Sequence, residues 1–392
     1  MKDETRIVTA GRHPESNDGV VNPPVYHAST ILYADMAERD AHMQARIAGE
    51  RTIAYGRGGT ATHHALEDAI TALEGGGRCK LYPSGLAAVA TVLSAYVGQG
   101  DHVLMTDAVY GPARRFCNQF LSRFGVETTF FDPCIAADDL AGLFKVNTKL
   151  LYLEAPGSQT FEMQDVSALA SVAKAAGVLV AMDNTWATPY LFKPLAHGVD
   201  ISLMAGTKYI VGHSDVMIGT VTVTDAAFPA LNEATGDLGM SVGPDDVYLS
   251  QRGLRTLSVR LRQHHVNALR VAEWLQGRDE VEVVMCPALE SDPGHAIWKR
   301  DFGGASGLFA VTLKPCSDTA LRAFVDGLVY FGLGASWGGY ESLVLPVNPN
   351  MFRVARPWPH DGPVVRFHIG LEDPQDLIAD LEAGFARLKA AE

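Results

Sequence analysis

Lys208 lies between two apolar stretches, Ile201-Ser202-Leu203-Met204 upstream and Tyr209-Ile210-Val211 downstream. Burial between such runs lowers a lysine's pKa and makes it a usable amine nucleophile or base. A lysine that snorkels to the surface is the ordinary alternative. Asp183 follows the apolar run Val178-Leu179-Val180-Ala181-Met182. A carboxylate there is costly unless it is paired, so it reads either as a cap or turn residue or as the partner of a cationic ligand atom. Tyr82-Pro83-Ser84-Gly85-Leu86 precedes a helical run. Small residues at a helix start leave backbone N–H groups free to hold a phosphate, although a plain Ser cap would look the same.

The three together point to one ligand. An anion cup, a carboxylate about 100 residues on and a lysine 25 residues after that all fall at the ends of expected strands. Pyridoxal phosphate (PLP) needs an anion site for its phosphate, a carboxylate for its pyridinium nitrogen and a lysine for its aldehyde. Near Gly56 and Gly75-Gly76-Gly77 there is no GxGxxG or GxxxxGK[ST], so dinucleotide and P-loop readings lack their fingerprint.

The elements that must position these residues are short apolar runs alternating with helical patterns. His102 to Met105, Val126 to Phe131, Leu150 to Leu153, Val178 to Met182 and Ile201 to Met204 read as strands. Gly85 to Val97 and Val166 to Ala176 read as helices, the second with Asp165 as N-cap and Gly177 past its end. Continuous apolar strands separated by helices imply a mostly parallel α/β sheet buried on both faces, with ligands beyond the carboxyl ends of its strands. One long helix is expected over Asp245 to Leu275. A smaller α+β part follows, with strands at Val281 to Met285, Leu308 to Leu313 and Val364 to His368. Its last helix has Asp373 at N-cap, Pro374 at N1 and an apolar face of Leu377, Leu381, Phe385 and Leu388. The expected organisation is an N-terminal arm over 1–60, a large ligand-binding domain over 61–245 and a small domain over 246–392.

The 392 residues carry a formal net charge of −13, with 47% hydrophobic and 20% charged residues. That is globular composition, and its acidic balance argues against nucleic acid or an anionic membrane as a partner. Five cysteines with no CxxC suit a reducing compartment and give no zinc site. The first residues lack the apolar run of a signal peptide, and no run is long enough to span a bilayer, so a soluble cytoplasmic protein is expected. His63-His64 with Glu67, and His264-His265, lack a third ligand in register and read as surface helix positions, with no metal expected. Cys117 reads as a buried structural thiol.

The sequence resembles the Cys/Met-metabolism, or trans-sulfuration, family of PLP enzymes over nearly its whole length. The resemblance rests on Ala205-Gly206-Thr207-Lys208-Tyr209-Ile210-Val211-Gly212-His213-Ser214-Asp215, on Asp183-Asn184-Thr185-Trp186-Ala187-Thr188-Pro189 and on Tyr82 to Leu86. It implies an aspartate-aminotransferase-like (fold type I) architecture. It implies Lys208 as the Schiff-base lysine, Asp183 as the pyridinium partner, and Ser84, Gly85 and Leu86 with Thr207 around the phosphate. Tyr110 matches the tyrosine that stacks on the ring and assists catalysis, and Arg366 the arginine that grips the substrate carboxylate. Tyr55 and Arg57 match a segment that reaches a neighbouring subunit's phosphate, which implies a homo-oligomer with shared sites and, by the family's habit, a tetramer. Ser336-Trp337-Gly338-Gly339-Tyr340 resembles the bacterial cystathionine β-lyase type, where members acting at Cγ more often carry Leu for Trp337. The implied activity is carbon–sulfur β-elimination on an amino-acid thioether. A γ-synthase, a γ-lyase and a PLP-binding regulator without catalysis stay open as alternatives. Two departures stand out: Ala205 where many relatives have a hydroxyl residue, and Arg114-Arg115 where some β-lyases place an acid facing the far end of the substrate.

Overall fold

The computed structural model describes residues 1–392. Seven strands form the large sheet: β1 (Arg78–Tyr82), β2 (His102–Thr106), β3 (Glu127–Phe131), β4 (Thr148–Glu154), β5 (Leu179–Asp183), β6 (Ile201–Met204) and β7 (Gly219–Val223). Their order is β1-β7-β6-β5-β4-β2-β3. From β6 to β3 every pairing is parallel, and β7 pairs antiparallel with both β6 and β1. The inner parallel strands β2, β4, β5 and β6 are the ones that the sequence marks as mostly apolar runs, and β2 and β6 are buried at every position, whereas the edge strand β3 carries Glu127, Thr128 and Thr129 and is only partly buried. The edge pair is harder to see. β1 alternates, and its Arg78 and Lys80 spread over the ring of Phe228. β7 is wholly buried yet carries Thr220 and Thr222, so its sequence looks half polar.

The small sheet contains β8 (Val281–Met285), β9 (Leu308–Leu313), β10 (Gly332–Leu333), β11 (Leu343–Val347) and β12 (Val364–His368), in the order β10-β11-β12-β9-β8. The C-terminal helix Pro374–Ala390 starts where Asp373 accepts from the Gln375 N–H, and it buries Leu377, Leu381, Phe385 and Leu388 against its neighbours. The chain is thus an α/β fold of a large, mostly parallel sheet followed by a smaller α+β part. The two share a core: Leu66 and Leu153 of the first, Leu261 between them, and Phe309 and Phe367 of the second belong to one contiguous apolar cluster. A second cluster, including Val89, Val103 and Val221, covers the other face of the large sheet.

Three expectations need correction. The long connecting helix is two helices, Pro244–Leu254 and Leu257–Gln276. The break falls where Gly253 presses on the Val211 carbonyl, which leaves 2.2 Å for any Cβ. Arg260 accommodates it by donating to the Gly253 oxygen at 2.8 Å. The N-terminal arm over 1–60 is partly helical, which its turn-rich, weakly periodic sequence does not signal. It contains the helix Asp3–Thr9, whose Ile7 is buried, and the helix Met36–Ile47, capped by Asp35, with no buried residue at all. His63, Glu67 and His264 are buried rather than on helix surfaces. His63 faces the Thr60 backbone N–H and the Val242 carbonyl, and His264 faces the Ile369 carbonyl. No helix is long and apolar enough to cross a membrane.

Candidate active site

The carboxyl ends of β4, β5 and β6 open onto a cavity of about 380 Å³. Ser84, Gly85, Leu86, Tyr110, Asp183, Thr207, Lys208, Trp337 and Arg366 all line it, so strand ends from one sheet and a loop from the other converge on one space.

On the large-sheet side, Asp183 ends β5. Its Oδ1 accepts from the Thr185 N–H at 3.0 Å and the Thr185 hydroxyl at 2.5 Å, while Oδ2 has no protein donor. Burial raises its pKa, and Thr185 and the nearby Lys208 charge oppose that rise. A carboxylate held this way with one free oxygen fits a cationic ring nitrogen. Thr185 Oγ1 also accepts from the Ala205 N–H at 2.9 Å, which ties Asp183 to the loop that carries Lys208. Sequence reading missed Thr185, although its place two residues after the Asp is the ordinary spacing of such a turn.

Lys208 Nζ donates to Ser336 Oγ at 2.8 Å and lies 5.2 Å from the centroid of the Trp337 ring. Burial, helped by the Arg366 charge, lowers its pKa to about 8. A neutral amine is therefore accessible near physiological pH. Ser84 caps the helix Gly85–Tyr96 by accepting from the Ala87 N–H at 3.1 Å, and Gly85 and Leu86, whose N–H groups have no intrahelical acceptor, both line the cavity. A Cβ on Gly85 would stand 2.5 Å from that of Ala205, so the departure at 205 sits where this helix start packs closely. The Thr207 hydroxyl donates to the Ile218 carbonyl at 3.1 Å and accepts from its N–H at 2.9 Å, so in this conformation its proton is spent inside the chain.

On the small-sheet side, Arg366 on β12 donates to the Ala335 and Ser336 carbonyls at 3.0 and 3.3 Å. Burial lowers its pKa to about 10, and no carboxylate of the chain pairs with it. A guanidinium so placed fits a ligand carboxylate. Gly338 holds the Trp337 loop in place. Its φ is +86°, and a Cβ there would meet the Lys208 backbone at 2.9 Å. His368, two residues after Arg366, faces the Gly338 N–H and the Gly339 carbonyl, both at 3.1 Å, and fixes the loop from beneath. It too was missed by sequence reading, since a His on an apolar strand looks like any core residue.

Tyr110 is half-exposed at the cavity, and its backbone N–H donates to Glu154 Oε2 at 2.7 Å. Burial and the Asp183 charge raise its pKa, so its hydroxyl stays protonated. Arg114 does not face a ligand. It is buried and paired with Asp107 at 2.6 Å, its guanidinium stacked 3.7 Å from the Phe130 ring centroid. Arg115 alone of that pair is exposed. Cys117 is buried. Tyr55 and Arg57 are not brought to the cavity of their own chain. They border a second hollow, and Arg57 donates to the Gly236 carbonyl at 2.9 Å.

The residues present thus match a ligand with an anionic group, a cationic ring nitrogen and an aldehyde. Comparison with known proteins names the group. The family described as "Cys/Met metabolism PLP-dependent enzyme" matches residues 4–386. The cystathionine beta-lyase MetC of Escherichia coli is 45% identical over 98% of both chains. An L-alanine/L-glutamate racemase of Wolbachia pipientis is 41% identical over 99% of this chain and 98% of its own. A solved structure of a cystathionine gamma synthase from Xanthomonas oryzae superposes with a TM-score of 0.89 at 34% identity, covering 100% of both chains. The chain belongs to the Cys/Met-metabolism family of PLP-dependent enzymes.

Proposed function

We propose that this member of the family is a carbon–sulfur β-lyase, taking L-cystathionine or a related cysteine S-conjugate to a thiol, pyruvate and ammonia. PLP, when bound, supplies the electron-withdrawing ring that makes the bonds at the substrate's Cα and Cβ breakable. Asp183, with its free oxygen, would hold the pyridinium nitrogen. The Gly85 and Leu86 N–H groups would hold the phosphate, and Lys208 the aldehyde.

The chain's own residues account for the rest. Arg366 grips the substrate carboxylate. Lys208, as a neutral amine, takes the Cα proton. The Cβ–S bond then breaks with its electron pair going to sulfur, and the proton is returned to the thiolate from Lys208 or the Tyr110 hydroxyl. One water is consumed as the three-carbon product becomes pyruvate and ammonia.

The observation that carries β over γ chemistry is the seat of the Lys208 amine, bonded to Ser336 and walled by Trp337. β-Elimination confines the amine's work to Cα and the sulfur that leaves from Cβ, whereas γ-chemistry also asks it to take a proton from Cβ. A tethered amine suits the first. The test is a product assay with cystathionine. Pyruvate with homocysteine is expected, and 2-oxobutyrate with cysteine would make the enzyme a γ-lyase.

We further infer, from the family resemblance, that Tyr55 and Arg57 reach a neighbouring subunit's phosphate, which would make a dimer the smallest active unit and a tetramer the expected form. Their distance from the cavity of their own chain supports this, as does the helix Met36–Ile47 that buries nothing within its own chain.

A further inference from the structure

Glu154 is the ionisable cavity residue that the reaction above does not use. It ends β4, as Asp183 ends β5, and the parallel register pairs the two residues directly. Adjacent strands stand about 5 Å apart, so two carboxyl groups meet side by side at the floor of the cavity, which both line. They are not equally supported. Asp183 receives two donors from Thr185 and feels the charge of Lys208. Glu154 receives one donor, the Tyr110 backbone N–H, and its other oxygen has no protein partner. The titratable groups facing it are Asp183, Tyr152 on its own strand and Tyr110, and it forms no ion pair. Two carboxyl groups this close and largely withdrawn from bulk water do not both ionise. The one with more donors keeps the charge.

We propose that Glu154 is a positioning residue that works as a neutral carboxylic acid. One oxygen holds the Tyr110 backbone and so fixes that ring at the cavity, while Asp183 is left as the single anion at the cavity floor. Burial and the Asp183 charge push the Glu154 carboxyl well above the usual carboxylate range, in the same sense. The inference rests on the family's use of PLP. It assigns a state and a task to a side chain that needs no charge to perform it.

The test compares holoenzymes of the wild type, Glu154→Gln and Glu154→Leu by pH titration of the visible absorbance and circular dichroism of the bound cofactor. Glutamine reproduces a neutral acid's shape and its acceptor for the Tyr110 N–H. Glu154→Gln is therefore expected to titrate as the wild type does and to keep its visible dichroism. Glu154→Leu is expected to keep the absorbance and lose most of the dichroism. If Glu154 is ionised instead, Glu154→Gln removes a negative charge beside the cofactor and lowers the apparent pKa by about 1–2 units, which overturns the proposal. A difference infrared spectrum, wild type minus Glu154→Gln, decides the point even if the leucine variant does not fold. The carbonyl band of a protonated carboxylic acid is expected, and a carboxylate band in its place sinks the idea. A wild type that stays colourless with PLP would count against the cofactor assignment, while the infrared result would still decide the state of Glu154.

Discussion

The two walls of the cavity are built differently. On one, Asp183 and Lys208 stand at or just past the ends of parallel strands, with the Gly85–Tyr96 helix start beside them, so the sheet itself fixes their spacing. On the other, Ser336 and Trp337 ride on a loop, and only Arg366 comes from a strand. That loop takes its position from contacts rather than from a ladder: Gly338 against the Lys208 backbone, and His368 beneath. The difference teaches where each kind of information is kept. On the roles proposed above, the reaction type would be held by the sheet, and the choice of substrate by how a loop is pinned to it.

The largest expected effect breaks the strand-end wall. Lys208→Ala should lower kcat by about 1,000-fold or more, since it removes the proton-transferring amine. Mixing that variant with Arg57→Ala should recover roughly a quarter of wild-type activity if sites are shared between subunits. Recovery of none would restrict each site to its own chain. Next, Arg366→Lys leaves the strand-end wall intact and spoils the planar grip on a carboxylate. KM should rise about 30-fold, with kcat changed much less. An equal fall in kcat would mean that the two walls do not divide their labour as described. The smallest effect concerns proton occupancy. Burial and the Arg366 charge place the Lys208 ammonium at about 8, so the amine is protonated below that pH and nucleophilic above it. The rate at which apoenzyme develops colour with PLP should therefore climb nearly tenfold per pH unit up to about 8 and then level off. Arg366→Gln should move that bend upward, because it removes a cation that disfavours the lysine's charge.

Much of the strand-end wall is legible in the sequence because burial on both faces writes strands as unbroken apolar runs, and a charge at the end of such a run is conspicuous. Asp183 and Lys208 announce themselves in this way. The edge strands β1 and β7 do not, since one alternates and the other buries threonines. The meeting of Glu154 with Asp183 is invisible for a different reason. It depends on the register between strands separated by a whole helix, and no local pattern encodes that. Arg114 shows the reverse error. As a departure beside Tyr110, where some β-lyases place an acid, it bears on the far end of the substrate in the sequence, and only the fold reveals that Asp107 consumes it. On the loop wall, Trp337 and Arg366 were reached through family resemblance. Nothing in the spacing of Ser336 and Lys208, 128 residues apart, says that they touch.

The contact at Gly338 also sets a rule for anyone redesigning this enzyme. Residues 335–343 are the natural place to vary when a new substrate is sought. Yet a side chain at 338 cannot be accommodated without moving the backbone of Lys208, and its φ of +86° disfavours any other residue. Libraries that hold this glycine fixed keep the reacting amine in register while the walls change. Libraries that randomise it spend their diversity on dislocated lysines.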